Sequence, residues 1–260
     1  MCNRWLSVVL ICGLIIFSCS IKEDRSGCPG MLILDLNGIN GSLYDSLRVR
    51  VEATDDFLYN EIINKSEYDK PLLISVPRTD LSVAVYAGDN NAINYTLSGL
   101  TIPYGDECYS VFMDNDRIFM DKEVYHKNIT LYKNYSHLNI NLIHQGRAYP
   151  FDIEIRGSIS GYDMFGKPNN GKFSYATKID ENGKADVKIP RQIDGSLELI
   201  ILDKKEQLRK FAIGEYIIES GFDWKKLDLE DITIDINYTL TEIKLIIANW
   251  EKSFSLDITI

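Results

Sequence analysis

Cys19 has the clearest chemical setting in this sequence. One positive charge, Arg4, precedes an apolar run from Trp5 to Phe17, after which the small residue Ser18 meets the cysteine. That order is the order of a secretory signal. Ile16-Phe17-Ser18-Cys19 supplies an aliphatic residue, a small residue and then cysteine, the arrangement in which a signal peptidase cleaves before a thiol that carries diacylglycerol. A thioether lipid plus an acylated amine exceeds the two lipid signals that stable membrane attachment requires. The apolar run is shorter than the roughly 20 residues a spanning helix needs, so the expected product is anchored without spanning. Residues 1–18 read as the signal peptide and 19–29 as a lipidated tether.

The other residues that could do chemistry are sparse. Cys2 and Cys12 leave with the signal, so Cys28 and Cys108 are the remaining thiols of the five. In an oxidising compartment two thiols can form one bridge. A Cys28–Cys108 bridge requires Cα atoms within about 7 Å, and two free thiols are the equal alternative. His126, His137 and His144 show no HExxH spacing, and no CxxC pair is present, so no zinc site is expected. Asp114-Asn115-Asp116 and Asp180-Glu181-Asn182-Gly183 resemble fragments of calcium loops, but neither ends in the bidentate acid such loops need. Both read as hairpin turns. With no G-x-S-x-G elbow, no phosphate-binding loop and no certified pair of carboxylates, no enzyme and no cofactor are expected.

Charge narrows the partners. Acids outnumber bases by 38 to 28, and the formal charge of −10 falls to −11 once Arg4 leaves with the signal. A phosphate backbone is held by clustered Lys and Arg that displace counterions. No basic stripe is present, so nucleic acid is not an expected partner.

The elements that must position these residues read as strands. Leu47, Val49, Val51 and Ala53 alternate with Arg48, Arg50 and Glu52, which buries one face of an extended segment and wets the other. The same period recurs at 81–85, 138–142, 151–156, 185–189, 232–236 and 254–260. Asn37-Gly38, Asn40-Gly41, Asn170-Gly171 and Asn182-Gly183 supply turn residues between apolar runs. Segments 203–210 and 44–46 read as connections, few helices are expected, and no fixed-period repeat is evident. A polar and aromatic step at Lys133 to Ser136 interrupts two strand patterns and marks a boundary between sandwiches at 30–134 and 135–260, a pattern that one larger domain would share. Phe254, Leu256, Ile258 and Ile260 would share one face of a terminal strand. That strand either closes its own sandwich or contacts another protein.

Several stretches also resemble a known family. Cys19, then Glu23 to Pro29, then the apolar strand Met31 to Leu36, is similar to the mature start of the FimB-type fimbrial anchor lipoproteins of Bacteroidetes. Gly161-Tyr162-Asp163, Gly166-Lys167-Pro168 and Gly171 to Tyr175 follow a strand as they do in that family. The similarity continues through Gly214 to Ile217, Gly221 to Trp224, Leu229 to Tyr238 and Asn249-Trp250. It spans nearly the whole mature chain, although 55–70 departs from the pattern and Gly30 stands where a second cysteine is often found. The resemblance implies an all-β chain of two tandem transthyretin-like antiparallel β-sandwich domains. It further implies a cell-surface role as anchor or minor subunit of a fimbrium, with fimbrial subunits and the outer membrane, through the covalent lipid, as partners. Subunits of such fimbriae join by strand donation, so the resemblance assigns the 254–260 strand to subunit contact. Lys22-Glu23-Asp24 resembles the run that accompanies export to the outer face of the outer membrane, and Asp45-Ser46-Leu47 resembles an O-glycosylation acceptor. The alternative function is a glycan-binding surface lipoprotein presenting Trp224, Trp250 or Tyr162, since aromatics stack on sugars as readily as they fill cores.

Overall fold

The structure is a computed structural model that describes residues 27–54, 56–88, 99–143, 151–163, 165–237, 242–247 and 250–255. Strands follow one another as β1 (Gly30–Asp35), β2 (Ser46–Ala53), β3 (Leu58–Asn64), β4 (Leu72–Val76), β5 (Asp80–Gly88), β6 (Leu100–Thr101), β7 (Val111–Phe119), β8 (Val124–Asn128) and β9 (Tyr132–Lys133). They continue as β10 (Tyr135–Ile143), β11 (Asp152–Tyr162), β12 (Pro168–Lys178), β13 (Lys184–Pro190), β14 (Glu198–Asp203), β15 (Glu206–Phe211), β16 (Ile232–Asn237), β17 (Glu242–Ile247) and β18 (Trp250–Ser255). One α-helix, α1 (Ile213–Glu219), lies between β15 and β16 among the described residues. The chain is all-β, as expected.

Alternating burial explains why these segments are strands. In β1, Leu32 and Leu34 are fully buried while Met31 and Ile33 lie on the other face. In β2, Leu47, Val49 and Val51 are fully buried. Each such side chain withdrawn from water contributes about 1.5–3 kcal/mol, which rewards the extended period of two over a helix.

Among the described residues the strands form four sheets, in the orders β4-β1-β8, β3-β2-β5-β7-β9, β13-β10-β16-β17-β18 and β12-β11-β14-β15. The first two enclose a core that includes Leu32, Leu47, Val83 and Ile118. The last two enclose a second core, with Leu138, Ile153, Leu199 and Ile234 among its members. The halves repeat one topology. β1 lies antiparallel to β4 and parallel to β8, and β10 lies antiparallel to β13 and parallel to β16. β2 pairs β3 and β5 as β11 pairs β12 and β14, and β5 pairs β7 as β14 pairs β15. The second half then adds the β17–β18 hairpin beside β16, at the edge that β8 leaves open in the first. The sheets are therefore not purely antiparallel, and the repeat exists in topology without a fixed period in sequence.

Three local expectations are corrected. Segment 203–210 is the β14–β15 hairpin, whose two-residue turn Lys204-Lys205 has both φ values positive, +48° and +76°. Such turns favour Asn-Gly, so the lysines concealed it. Asn170-Gly171 is inside β12 rather than in a turn; a Cβ on Gly171 would sit 2.0 Å from Ser160 Oγ, so the glycine serves close strand packing. Asp114-Asn115-Asp116 lies within β7 and forms no turn. At Asp180 to Gly183 the turn is present: Gly183 N–H donates to Asp180 O over 3.0 Å, and the chain passes between the two sheets of the second half.

Candidate functional site

The two halves meet without a linker, since Asn134 alone separates β9 from β10. A small cluster of Ala84, Tyr86, Leu100, Val111, Met113 and Tyr162 packs between the two larger cores. β6, from the first half of the sequence, pairs with the end of β11 through Thr101 and Leu100 opposite Gly161 and Tyr162. Ile102 and Cys108 are likewise built into the second core.

Tyr162 centres this junction and is fully buried. Its hydroxyl donates to the Asn134 carbonyl and accepts the Arg191 backbone N–H over 2.8 Å. Burial raises its pKa well above the ordinary phenol value, so the proton stays. Arg191 donates from Nε to Asn134 Oδ1 at 3.0 Å, from Nη1 to the carbonyls of Lys226 at 2.6 Å and of Trp224, and from Nη2 to the Leu227 carbonyl at 3.0 Å. Five donors in a rigid fork suit Arg to such a clamp. Burial lowers its pKa from the ordinary value, though a guanidinium stays charged at any physiological pH. The same loop returns to the junction: Ser136 Oγ donates to Glu230 O at 2.6 Å, and Asp231 accepts the His137 backbone N–H at 2.9 Å and a charge-assisted bond from Lys133 Nζ. Burial would raise the Asp231 pKa, but the Lys133 and His137 contacts outweigh it and the net shift is downward.

The carboxylates read as fragments of cation loops are occupied by protein groups. Asp114 accepts the Thr130 N–H at 2.8 Å and pairs with Lys127 at 3.0 Å, while Asp116 pairs with the same lysine at 3.2 Å. Burial would lower the Lys127 pKa, yet the hydrogen bonds and charges of the two aspartates raise it overall. Among the described residues no group of three His, Cys, Asp or Glu side chains could hold a metal ion.

Cys19 lies outside the described residues, as do Leu256, Ile258 and Ile260. Cys28 and Cys108 are not bridged: Cys28 is exposed ahead of β1 and Cys108 is buried in the core of the other half. Phe254 lies in β18, opposite Ile243 of β17, so the terminal strand is paired within its own sheet through Ser255 and forms the edge of that sheet. The glycan reading loses two of its three aromatics. Tyr162 is sealed in the junction, and Trp224 is 7 % exposed within the second core, 4.6 Å centroid to centroid from Phe222. The side chain of Trp250 lies outside the described residues. Arg191 was missed in the sequence, where an isolated arginine after a strand carries no signal of the carbonyls it will meet.

No family model and no curated protein matches the sequence. Solved structures do match in fold. The fimbrial anchor protein Mfa2 from Porphyromonas gingivalis superposes with a TM-score of 0.60 at 10% identity, over 86% of this chain and 99% of that one. A candidate adhesin from Bacteroides ovatus gives 0.59 at 12% identity, over 88% and 96%. A candidate polysaccharide-binding protein from Bacteroides thetaiotaomicron gives 0.59 at 12% identity, over 88% and 98%. At these identities the likeness is one of fold, and this chain has the tandem β-sandwich fold of the fimbrial anchor Mfa2 and the Bacteroides candidate adhesins.

Proposed function

We propose that this chain is a lipid-tethered anchor or minor subunit of a fimbrium, held at the outer-membrane surface through Cys19 and joined to a neighbouring subunit by strand pairing. The observation that carries the reading is the sharing of both sandwiches, end to end, with a fimbrial anchor protein. Two features support it. The lipobox ending at Cys19 would supply a membrane attachment, and among the described residues the sheet β13-β10-β16-β17-β18 ends on β18, with no further strand paired to its outer edge. An open edge offers unpaired N–H and C=O groups to an added strand, and alternate side chains then give specificity. The role is mechanical and needs no catalytic group.

The test has two arms. Cells expressing wild type and Cys19→Ala are fed an alkyne palmitate, and the expected result is label and membrane retention for wild type alone. Deletion of residues 254–260 is then compared with wild type in pull-downs from solubilised membranes. Fimbrial subunits should be lost from a deletion variant that keeps its β-type circular dichroism. An unlabelled wild type refutes the tether, and undiminished recovery of subunits by the folded deletion variant refutes the strand contact.

A further inference from the structure

The outer face of the β4-β1-β8 sheet differs from its counterpart in the other half. Leu32, Leu34, Ile74 and Val76 face the core, so their alternate neighbours face away from it. In register these outward residues are Ile33 beside Leu73 and His126, and Met31 beside Ser75 and Val124. Leu73 is 58% exposed and Val124 44%. In the topologically equivalent sheet the outward positions of β10 are His137, Asn139 and Asn141, flanked by Lys188, Asp186 and Lys184 on β13 and by Thr233 and Asp235 on β16. That face is laced by polar bonds, Asn141 to Asp235 at 2.6 Å and His137 to Asp186 at 2.8 Å. Its exception is Ile143, at the end of β10. One topology thus carries a solvent-type outer face in one half and an apolar one in the other. An exposed apolar face of this kind marks a contact surface. An added strand at the β8 edge would leave the face uncovered, as β17 leaves the polar face of its sheet, so the contact lies on the face.

Chain length and a buried donor say what covers it. At about 3.6 Å per residue, the eleven steps from Cys19 to Gly30 keep the start of β1 within about 40 Å of Cys19, so this sheet holds the end of the described chain nearest the tether. Where the chain enters β1, a depression of about 430 Å³ is lined by Cys28, Phe57, Ser75, Val76, Pro77 and Arg78, and Ser75 joins it to the apolar face. Arg78 Nε is buried without a hydrogen-bond partner among the described residues. Arg78 Nη2 forms a loose ion pair with Glu123 at 3.9 Å, beyond hydrogen-bond reach. A guanidinium beside an apolar surface matches the phosphate and upper acyl region of a bilayer.

We propose that the outer face of the β4-β1-β8 sheet rests on the lipid surface, with Met31, Ile33, Leu73 and Val124 at the level of the upper acyl chains and Arg78 donating to a lipid phosphate. The inference rests on the lipid-tethered reading and orients the protein: the first sandwich lies against the membrane and the β18 edge is left for a partner. To separate it from acylation itself, the mature chain is tethered by a histidine tag in place of Cys19 to nickel-chelating vesicles of phosphatidylcholine and phosphatidylglycerol. In a Cys28→Ser background, Leu73→Cys, Val124→Cys and, as the control face, Asn139→Cys are each labelled with an environment-sensitive fluorophore. Lipids bearing a nitroxide near the headgroup are expected to quench the Leu73 and Val124 probes at least about twofold more than the Asn139 probe, the contrast of a face buried 5–10 Å in the interface with one in water. Adding Arg78→Gln should lower quenching at position 73. Equal quenching at all three positions overturns the proposal even if Cys19 proves acylated, and quenching at 73 that ignores Arg78→Gln removes the phosphate contact.

Discussion

Replacing Tyr162 by Phe removes one oxygen from a fully buried site and leaves the ring packing in place. Two hydrogen bonds go with it, one donated to the Asn134 carbonyl and one accepted from the Arg191 N–H. Each is worth about 0.5–1.5 kcal/mol net, and a buried group left unsatisfied costs about 1–3 kcal/mol. The Tyr162 side chain has zero exposure, so water cannot replace its hydroxyl without opening the junction, and the combined loss should be about 2–4 kcal/mol. For a chain of this size each kcal/mol lowers Tm by about 2–4 °C, giving a fall of about 4–16 °C. Urea denaturation of the mature chain with Cys19→Ser, followed by circular dichroism, measures it against Tyr104→Phe. Tyr104 is 68% exposed, and its variant should stay within about 0.5 kcal/mol of the parent. A Tyr162→Phe loss no larger than that of Tyr104→Phe would refute the idea that this hydroxyl holds the halves together.

Three further outcomes follow from the same geometry. Gly161→Ala should destabilise by about 1–3 kcal/mol through overpacking, because its φ is +147° and a Cβ would lie 1.9 Å from Leu100 O; amide exchange should speed up first at Leu100 and Thr101, whose strand pairs there. Asp231, its pKa lowered in the folded state, contributes stability that is fully present above the ordinary carboxylate pKa of about 3.9 and is lost as pH falls through the lowered value. The urea midpoint of Asp231→Asn should therefore fall less steeply than that of the parent below about pH 4, and parallel profiles would contradict the assigned contacts. With Cys19 replaced by serine, the native protein should show one reactive thiol, Cys28, and two after denaturation; a bridged pair would show none in either state.

The period of two in segments such as Leu47 to Ala53 and Leu138 to Leu142 settled locally which residues turn inward, because an extended chain must alternate its faces whatever lies around it. The expected signal and Cys19 rest on order along the chain alone and lie outside the described residues. The turn at Asp180 to Gly183 could be read because Asp side chains bond their own backbone two to four residues on.

What tertiary structure alone decided concerns partners distant in sequence. The parallel pairing of β1 with β8 and of β10 with β16 joins segments roughly ninety residues apart, and no local period reports which strands will meet. The Lys204-Lys205 hairpin formed against residue preference because it brings Phe211 of β15 into the core beside Leu199 and Ile201 of β14, an instance of packing overriding propensity. Tyr162 and Trp224 could have faced solvent or core on composition alone; neighbours from both halves closed over the first and Phe222 packed against the second. The apolar face of Met31, Ile33, Leu73 and Val124 comes from three segments that only the sheet brings side by side, and its contrast with the polar outer face of β10 is visible only when the two sheets are seen to share one topology.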